Sequence, residues 1–444
     1  MNKLFKILLT FFAFCLFTFA FIMPLNPVGN WYQQFMPNIG GRTILDITFL
    51  DSLTGYSLTS ISSDTSYILK TTNGGDDWFI NYRAPSFIFR RVQFLNNNTG
   101  YVAGQNLIKT TNAGLNWLPV NTSLFIEDIH FISNDTAWYA DPNSFAGGVY
   151  FTSNGGVSWV QQFSGGNQNP DRIYMLNGAT GFMSKNGGSP NIYRTTNSGI
   201  NWSINVSGHY MRDMKFADAL TGWYSYGNNA YKTTNAGNNW IVQPLPSGGI
   251  LITVGIDEFS ILNRDTVYAT GGFAFYGAGQ FRGVIYRTIN GGNNWLFQVP
   301  DTTIHIPQYK FIQFVNKRNG WAFSVGLGGI HTTNGGDTTF LVGVQQVSSQ
   351  VPKQYELFQN YPNPFNPKTN IKYQISNNNT NVIISVFDLT GKYIRELVNQ
   401  KQNAGTYEVD WYASGYSSGI YFFRLTVNSG KEVFTDTKKM ILIK

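Results

Sequence analysis

One short phrase recurs seven times along this chain, and it limits the fold more than any other feature. Thr71–Trp78, Thr110–Trp117, Thr152–Trp159, Thr195–Trp202, Thr233–Trp240 and Thr288–Trp295 each place Asn two residues after Thr, Gly two further on, and Trp three beyond that. A seventh copy, Thr332–Thr339, keeps Asn334 and Gly336 but has Thr where the others have Trp. The Asn positions 73, 112, 154, 197, 235, 290 and 334 are separated by 39, 42, 43, 38, 55 and 44 residues. A period of about 40–45 residues is the length of one four-stranded blade in a ring of repeated sheets.

Each repeat reads as strands. An alternating piece comes first (Val92-x-Phe94, Ile129-x-Phe131, Met214-x-Phe216, Ile312-x-Phe314), followed by a Gly-aromatic strand at 55–56, 100–101, 222–223 or 320–321. A third strand enters the Thr-x-Asn turn and a fourth opens at Trp. Within the turn, Asn bonds nearby backbone amides, Gly takes a positive φ and Trp covers the bend with apolar area. The turn residues Asn73, Gly75, Trp78, Asn112, Gly114, Trp117, Asn154, Gly156, Trp159, Asn197, Gly199, Trp202, Asn235, Gly237, Trp240, Asn290, Gly292, Trp295, Asn334 and Gly336 are therefore scaffold. The Trp missing from the last copy has a substitute in Asn30-Trp31-Tyr32-Gln33-Gln34-Phe35, which matches Ser158-Trp159-Val160-Gln161-Gln162-Phe163. Strand 31–36 is thus expected to complete the seventh blade as its outermost strand, giving an all-β, seven-bladed β-propeller over residues 28–345.

Composition agrees with this reading. Aromatic residues make up 16% of the chain, there are 46 glycines, and only 12% of residues are charged, against about 25% in an ordinary soluble domain. That balance excludes disorder and disfavours long amphipathic helices, whose solvent faces are rich in Lys and Glu. The net charge of +7 is not spread evenly. Lys3 and Lys6 stand at the N-terminus, residues 352–444 hold 11 basic and 7 acidic groups, and the repeats are left with 18 basic against 17 acidic. No basic stripe tracks a phosphate backbone, so no nucleic-acid partner is expected. Met-Asn-Lys-Leu-Phe-Lys followed by the apolar run Ile7–Phe19 has the layout of a secretory signal peptide, residues 1–20, with cleavage after Ala20. Removal of that leader also removes Cys15, the single cysteine, and with it any thiol chemistry.

After Gln350 the character changes. A linker is expected at 346–360, and Tyr361-Pro362-Asn363-Pro364-Phe365 begins a second domain, 361–444, with strands near 369–375, 382–388, 407–411, 420–427 and 439–443. About seven short strands in roughly 90 residues suggest an immunoglobulin-like β-sandwich.

Two resemblances follow from these residues. The repeated turn resembles the Asp-box of sialidase-type repeats, with Asn in the Asp place, and the seven-fold pattern resembles the propellers of the photosystem II stability/assembly factor type. Members of such families include hydrolases, receptors and assembly factors, so this likeness implies a fold more than an activity. The C-terminal segment resembles the type A sorting domain of the type IX secretion system through Asn360–Phe365, Val386-Phe387-Asp388-x-x-Gly391, Ala404-Gly405-x-Tyr407, Ser418-Gly419-Ile420-Tyr421 and the ending Lys438-Lys439-Met440-Ile441-Leu442-Ile443-Lys444. That resemblance makes Gly419, Tyr421, Lys438, Lys439 and Lys444 part of a sorting signal. It implies the type IX machinery as partner, passage across the outer membrane, and either release or attachment at the outer-membrane surface.

The chemistry available to the repeats is sparse. The four histidines, at 130, 209, 305 and 331, show no paired ligand spacing, and no phosphate loop or nucleophile elbow is present, so no cofactor or metal is expected. One arrangement stands out, a charge just before the first strand of each repeat: Asp46, Arg90 and Arg91, Glu127 and Asp128, Asp171 and Arg172, Arg212 and Asp213, Asp257 and Glu258, and Lys310. First strands line the channel of a propeller, so these groups should ring its mouth, either pairing with one another or holding a ligand. The longest insertion, Gly271–Arg282, should project from the same face and offer Phe275, Tyr276 and Arg282 for stacking on sugar or peptide. The expected function is an exported module binding an extracellular glycan or protein, not an enzyme. An envelope assembly or adhesion scaffold is the alternative, and a glycoside hydrolase using two of Asp46, Asp128, Asp257 and Glu258 comes third.

Overall fold

The structure is a computed structural model. It describes residues 31–443 apart from 63–64, 167–168, 186–187, 247–250, 276–280, 301–303, 327, 337–344, 349, 367, 414–415 and 431. The leader at 1–20, Tyr276 and Lys444 lie outside the described residues. Seven antiparallel sheets follow one another along the chain and form a β-propeller. Blade 1 holds Ile44–Phe49, Gly55–Thr59, Thr65–Thr71 and Phe79–Pro85. Blades 2 to 5 repeat this plan, and blade 6 has a fifth strand, Leu251–Ile252. Blade 7 takes Phe311–Phe314, Gly320–Phe323 and Gly328–Thr332 from the end of the repeats and Tyr32–Phe35 from their beginning.

Each blade packs a neighbour on both faces, which explains why the second strands Gly55–Thr59, Gly100–Gly104 and Ala137–Asp141 are buried at every position. The Gly-aromatic pair that opens these strands has a packing cause. Tyr56 stacks on Phe94 at 4.5 Å, Tyr101 on Phe131 at 3.7 Å, Tyr268 on Phe314 at 3.7 Å and Trp321 on Phe49 at 3.9 Å, so an aromatic ring of one blade meets a Phe of the next. The same Phe ring lies over the Gly of its own blade; a Cβ on Gly55 or Gly100 would fall 2.7 Å from Phe49 or Phe94. Gly is needed there because the ring occupies the side-chain space.

In every copy the Thr hydroxyl bonds the Asn Oδ1 two residues on and the Gly N–H four residues on, and blade 1 shows the pattern. The Thr71 hydroxyl donates to Asn73 Oδ1 (3.0 Å) and accepts from the Gly75 N–H (2.9 Å), while Asn73 Oδ1 also accepts from the Asp77 N–H at 2.9 Å. The neutral Asn carbonyl thus does what a carboxylate does in an Asp-box. The Gly that closes the turn has φ between +74° and +92° in all seven copies, a region that a side chain would strain.

Closure is visible in the seventh turn. Trp159 lies over Gly156 and Trp240 over Gly237, and in blade 7 that place beside Gly336 is held by Trp31, with its Nε1 2.7 Å from where a Cβ would stand. Tyr32, Gln33, Gln34 and Phe35 then pair in register with His331, Ile330, Gly329 and Gly328. Gln34 crosses to blade 1, donating to the Gly74 carbonyl (2.9 Å) and Asp76 Oδ1 (3.0 Å).

The C-terminal unit has eight strands in two four-stranded sheets. One sheet joins Gln345–Ser348, Gly405–Tyr412, Lys368–Ile375 and Glu356–Leu357; the other joins Tyr393–Gln402, Thr380–Asp388, Gly419–Asn428 and Val433–Leu442. Both contribute to one core containing Tyr373, Ile384, Trp411, Phe423 and Leu425. The stretch expected as a linker at 346–360 is corrected here. Gln345–Ser348 and Glu356–Leu357 are strands of this unit, because their backbone groups pair with 405–412 and 368–375 instead of with water. The strand Tyr393–Gln402 was not expected; charged and amide residues interrupt its apolar alternation.

Replacing Trp31 with Ala is expected to destabilise the propeller by about 3–5 kcal/mol, the usual range for a buried Trp. Urea unfolding beside Phe145→Ala, a fully exposed control, measures this; equal midpoints would mean that the N-terminal strand adds little to closure.

Candidate functional site

The innermost strands all run in the same sense around the axis, so residues at equivalent positions form rings. Register against the second strands makes Asp46, Arg91, Asp128, Arg172, Asp213, Glu258 and Phe311 one ring. The preceding residues Leu45, Arg90, Glu127, Asp171, Arg212, Asp257 and Lys310 form the mouth above it. Two residues inward come Thr48, Gln93, His130, Tyr174, Lys215, Ser260 and Gln313. These groups, Asp171 apart, surround a cavity of about 670 Å³ on the face opposite the Asn-Gly turns. Asp46, Arg90, Arg91, Asp128, Arg172 and Glu258 stand within the first strands and not before them.

Most of the charges are engaged. Arg90 pairs with Glu127 at 2.9 Å, Arg91 with Asp128 at 2.7 Å and Lys310 with Asp257 at 2.8 Å, each pair joining neighbouring blades. Lys215 lies 2.8 Å from Glu258 and 3.8 Å from Asp213. The carboxylates also accept backbone N–H groups of the next innermost strand: Asp46 from Val92 (2.8 Å), Asp128 from Ile173 (3.1 Å), Asp213 from Phe259 (2.7 Å) and Glu258 from Ile312 (2.9 Å). One ring deeper, Gln93 holds both the N–H and the C=O of Phe131 at 2.8 Å, His130 Nδ1 accepts from the Met175 N–H at 2.8 Å, and Gln313 grips both backbone groups of Phe49. This stitching escaped the sequence reading. Its signal was available as the polar residue two places after each charge.

Burial sets the charge states. Desolvation alone would push the Arg91 guanidinium toward neutrality, yet Asp128 and Asp46 hold it well above its ordinary value, and Glu258 and Asp213 do the same for Lys215. Burial pushes the Asp46 carboxyl up to about 6, with Arg91 and the Val92 N–H pulling the other way. Burial pushes His130 down to about 4, which keeps it neutral and able to accept from Met175.

Two cations are left over. Arg172 Nη1 donates to the Asp171 carbonyl at 2.7 Å and Arg212 Nη1 to the Val254 carbonyl at 2.6 Å. Among the described residues neither guanidinium has a carboxylate within ion-pair distance, and the two occupy adjacent blades of the same mouth. Just before Arg212 in sequence, His209 stacks on Tyr226 at 4.1 Å and Tyr210 meets Tyr226 edge-on at 5.3 Å, and none of the three lines the cavity. The sequence reading had named neither tyrosine.

The insertion in blade 6 carries its strands past the ring: Glu258 pairs with Thr270, and the second strand runs on to Phe275. Val267–Phe275 and Phe281–Thr288 continue as one long hairpin, and Leu251–Ile252 pairs along its edge. Phe275 stacks on Phe281 at 5.0 Å, and Arg282 is buried, donating to the Phe281 carbonyl. Neither Phe275 nor Arg282 lines the axial cavity, because strand pairing holds the hairpin in the plane of its blade. No group of three or more metal-ligating side chains occurs among the described residues.

In the C-terminal unit the motif residues knot the two ends of the domain together. Asn363 accepts from the Ile441 N–H (2.9 Å) and donates to the Lys439 carbonyl (3.3 Å), while Phe365 exchanges backbone bonds with Ile441 and Ile443. Tyr421 is buried with its hydroxyl on the Ser417 carbonyl, Lys438 lies 3.5 Å from Asp436, Lys439 is exposed, and Gly419 begins the strand that pairs with this ending. The match to known families falls on this knot: residues 359–444 fit the model of the secretion system C-terminal sorting domain.

The chain carries a type IX sorting tail. It is therefore exported, to the cell surface or beyond it. No curated protein matches the sequence. Among solved structures, the propeller is similar to "YCF48 bound to D1 peptide", at 17% identity and a TM-score of 0.52, covering 69% of this chain and 98% of that one. PorZ, an essential surface component of the type IX secretion system of Porphyromonas gingivalis, is 12% identical with a TM-score of 0.47, covering 92% of this chain and 61% of that one. A GH74 enzyme of Niastella koreensis is 14% identical with a TM-score of 0.41, over 88% and 78%. The first of these likenesses agrees with a β-propeller, and the tail rests on the family model.

The opposed shifts of Asp46 and His130 give a pH signature. Neutral His130 loses stability as pH falls from 6.5 toward 4, whereas Asp46, protonated more readily in the folded state, adds stability as pH falls from 6 toward 3.8. Asp46→Asn removes only the second effect, so the variant should lose more stability than wild type between pH 6 and pH 4. Urea unfolding at both pH values checks this, and parallel pH profiles would contradict the buried carboxyl.

Proposed function

We propose that this exported propeller is a binding module that takes a carboxylate-bearing glycan or protein ligand at the axial mouth, between blades 4 and 5. The observation that carries this reading is the pair Arg172 and Arg212, two cations on one cavity rim without carboxylate partners among the described residues, in a ring whose other charges are compensated. Guanidinium groups suit planar carboxylates because they offer paired donors. The bound peptide named for the YCF48 structure supports a polypeptide ligand on such a fold.

A binding role is favoured over glycoside hydrolysis by the state of the carboxylates. Asp128, Glu258 and Asp257 each face a cation, which leaves Asp46 as a single carboxyl where hydrolysis needs an acid and a second carboxylate.

The test is binding of the chain from residue 21 onward to arrays of glycans and of peptides, beside an Arg172→Ala/Arg212→Ala variant. Acidic ligands should bind, more weakly at high salt, and lose at least tenfold in affinity in the variant. Arg90→Ala/Arg91→Ala serves as a contrast, since it removes partners of Glu127 and Asp128 and should act through stability. Absence of binding on both arrays, or binding indifferent to Arg172 and Arg212, would overturn the proposal.

A further inference from the structure

A second cavity stands apart from the axial mouth, where the C-terminal unit meets the turn of blade 6. The residue after the turn Trp is exposed in blades 1, 2, 3 and 5, as Phe79, Leu118, Val160 and Ile241, and buried in blade 6, where Leu296 borders a cleft shared with the C-terminal unit. The cleft holds about 830 Å³, within the range of about 300–1,000 Å³ usual for ligand sites, which favour the junctions of domains. Leu296 and Asn294 form its propeller wall. The Asn294 N–H is fixed to Asn290 Oδ1 at 3.0 Å, while its side chain stays exposed.

The floor is the outer face of the strand pair Lys368–Ile375 and Gly405–Tyr412. Alternation sends Ile371, Tyr373 and Ile375 into the core and leaves Lys368, Asn370 and Lys372 on that face, beside Asp410 and Glu408 of the neighbouring strand. Lys368 Nζ lies 2.8 Å from Asp410 Oδ2, Asn370 Nδ2 donates to Asp410 Oδ1 at 3.1 Å, and Lys372 Nζ lies 3.9 Å from Glu408. Two cations thus stand against two carboxylates, and the floor offers donors and acceptors without net charge. The remaining wall is aromatic. Phe358 donates its N–H to the Lys372 carbonyl at 2.9 Å, and Tyr361 exchanges both backbone bonds with Asn370 at 3.0 and 2.9 Å, so both residues are clamped to the edge of the floor strand. Tyr361 is nevertheless 82% exposed.

We propose that this cleft binds a neutral oligosaccharide. The C–H face of a sugar ring packs on an aromatic ring held as firmly and left as bare as Tyr361, and sugar hydroxyls, each both donor and acceptor, suit a floor that carries both kinds of group. A charged sugar gains little there, because each attraction to the paired floor is matched by a repulsion beside it. An extended peptide fits less well, since its main chain bonds best to an open sheet edge. Here both edges of Lys368–Ile375 are already paired, with Gly405–Tyr412 on one side and residues 356–361 on the other. The walls come from both units, so the site exists only while propeller and tail are joined.

The experiment is isothermal titration calorimetry of the chain from residue 21 onward with cellohexaose, laminarihexaose, xylohexaose and mannohexaose. At least one of these neutral sugars should bind, with little response to salt, in contrast to an acidic ligand at the axial mouth. Tyr361→Ala should weaken that binding by about tenfold or more, Tyr361→Phe should retain it, and Asn294→Lys, on the propeller wall, should weaken it as well. Both positions are exposed, and thermal unfolding confirms that the variants fold. Failure of all four sugars to bind, or binding indifferent to Tyr361 and Asn294, would overturn the proposal. Binding that instead falls with Arg172→Ala/Arg212→Ala would assign the sugar to the axial mouth and overturn it too.

Discussion

Pairing of Tyr32–Phe35 with Gly328–Thr332 turns a row of sheets into a ring, and the axial cavity exists only because that ring is shut. A linear array of seven blades would leave the inner face of blade 1 and the outer face of blade 7 without a packing partner. Closure places Trp321 against Phe49 and lets Gln313 take both backbone groups of that same Phe, so the seam between the last blade and the first is bonded like any other. Both ends of the propeller segment are fixed by this one contact, which holds a blade built from strands about 300 residues apart.

Around the axis, one economy of design recurs. Innermost strands cannot hydrogen-bond one another as sheet neighbours because they belong to different sheets, so their backbone amides need other partners in a half-buried place. Side chains supply them: Asp46, Asp128, Asp213 and Glu258 in one ring, Gln93, His130, Ser260 and Gln313 in the next. This explains why a chain with so few charges concentrates them at that position. It also makes the uncompensated pair Arg172 and Arg212 informative, since the structural role accounts for the other charges and not for these two guanidinium groups.

The outer rim uses amides in a comparable way. Gln34, Asn121, Asn205 and Gln243 each donate from a fourth strand to the carbonyl of the turn glycine in the following blade. In all but one of the seven outer strands the Asn or Gln stands three residues after the Trp, a regularity legible in the sequence once its purpose is known. These turns are therefore fastened to their neighbours.

The seven-fold phrase, the substitute Trp at residue 31 and the sorting motif were all readable from the sequence, because each depends on local geometry or on short-range repetition. A turn that needs Asn, a left-handed Gly and a covering Trp announces itself wherever it occurs. The charges before each first strand were readable as a ring for the same reason, since period alone puts equivalent residues at equivalent radii. Which of those charges face one another, and which stay unpartnered, was decided by the approach of neighbouring blades, a relation between residues some 40 positions apart that no local pattern encodes. Likewise, the pairing of the insertion with Leu251–Ile252 depends on an edge in the preceding loop, which no local pattern encodes. Local backbone chemistry gave the parts and their number. Packing between blades decided where charge was cancelled and where it was left for a ligand.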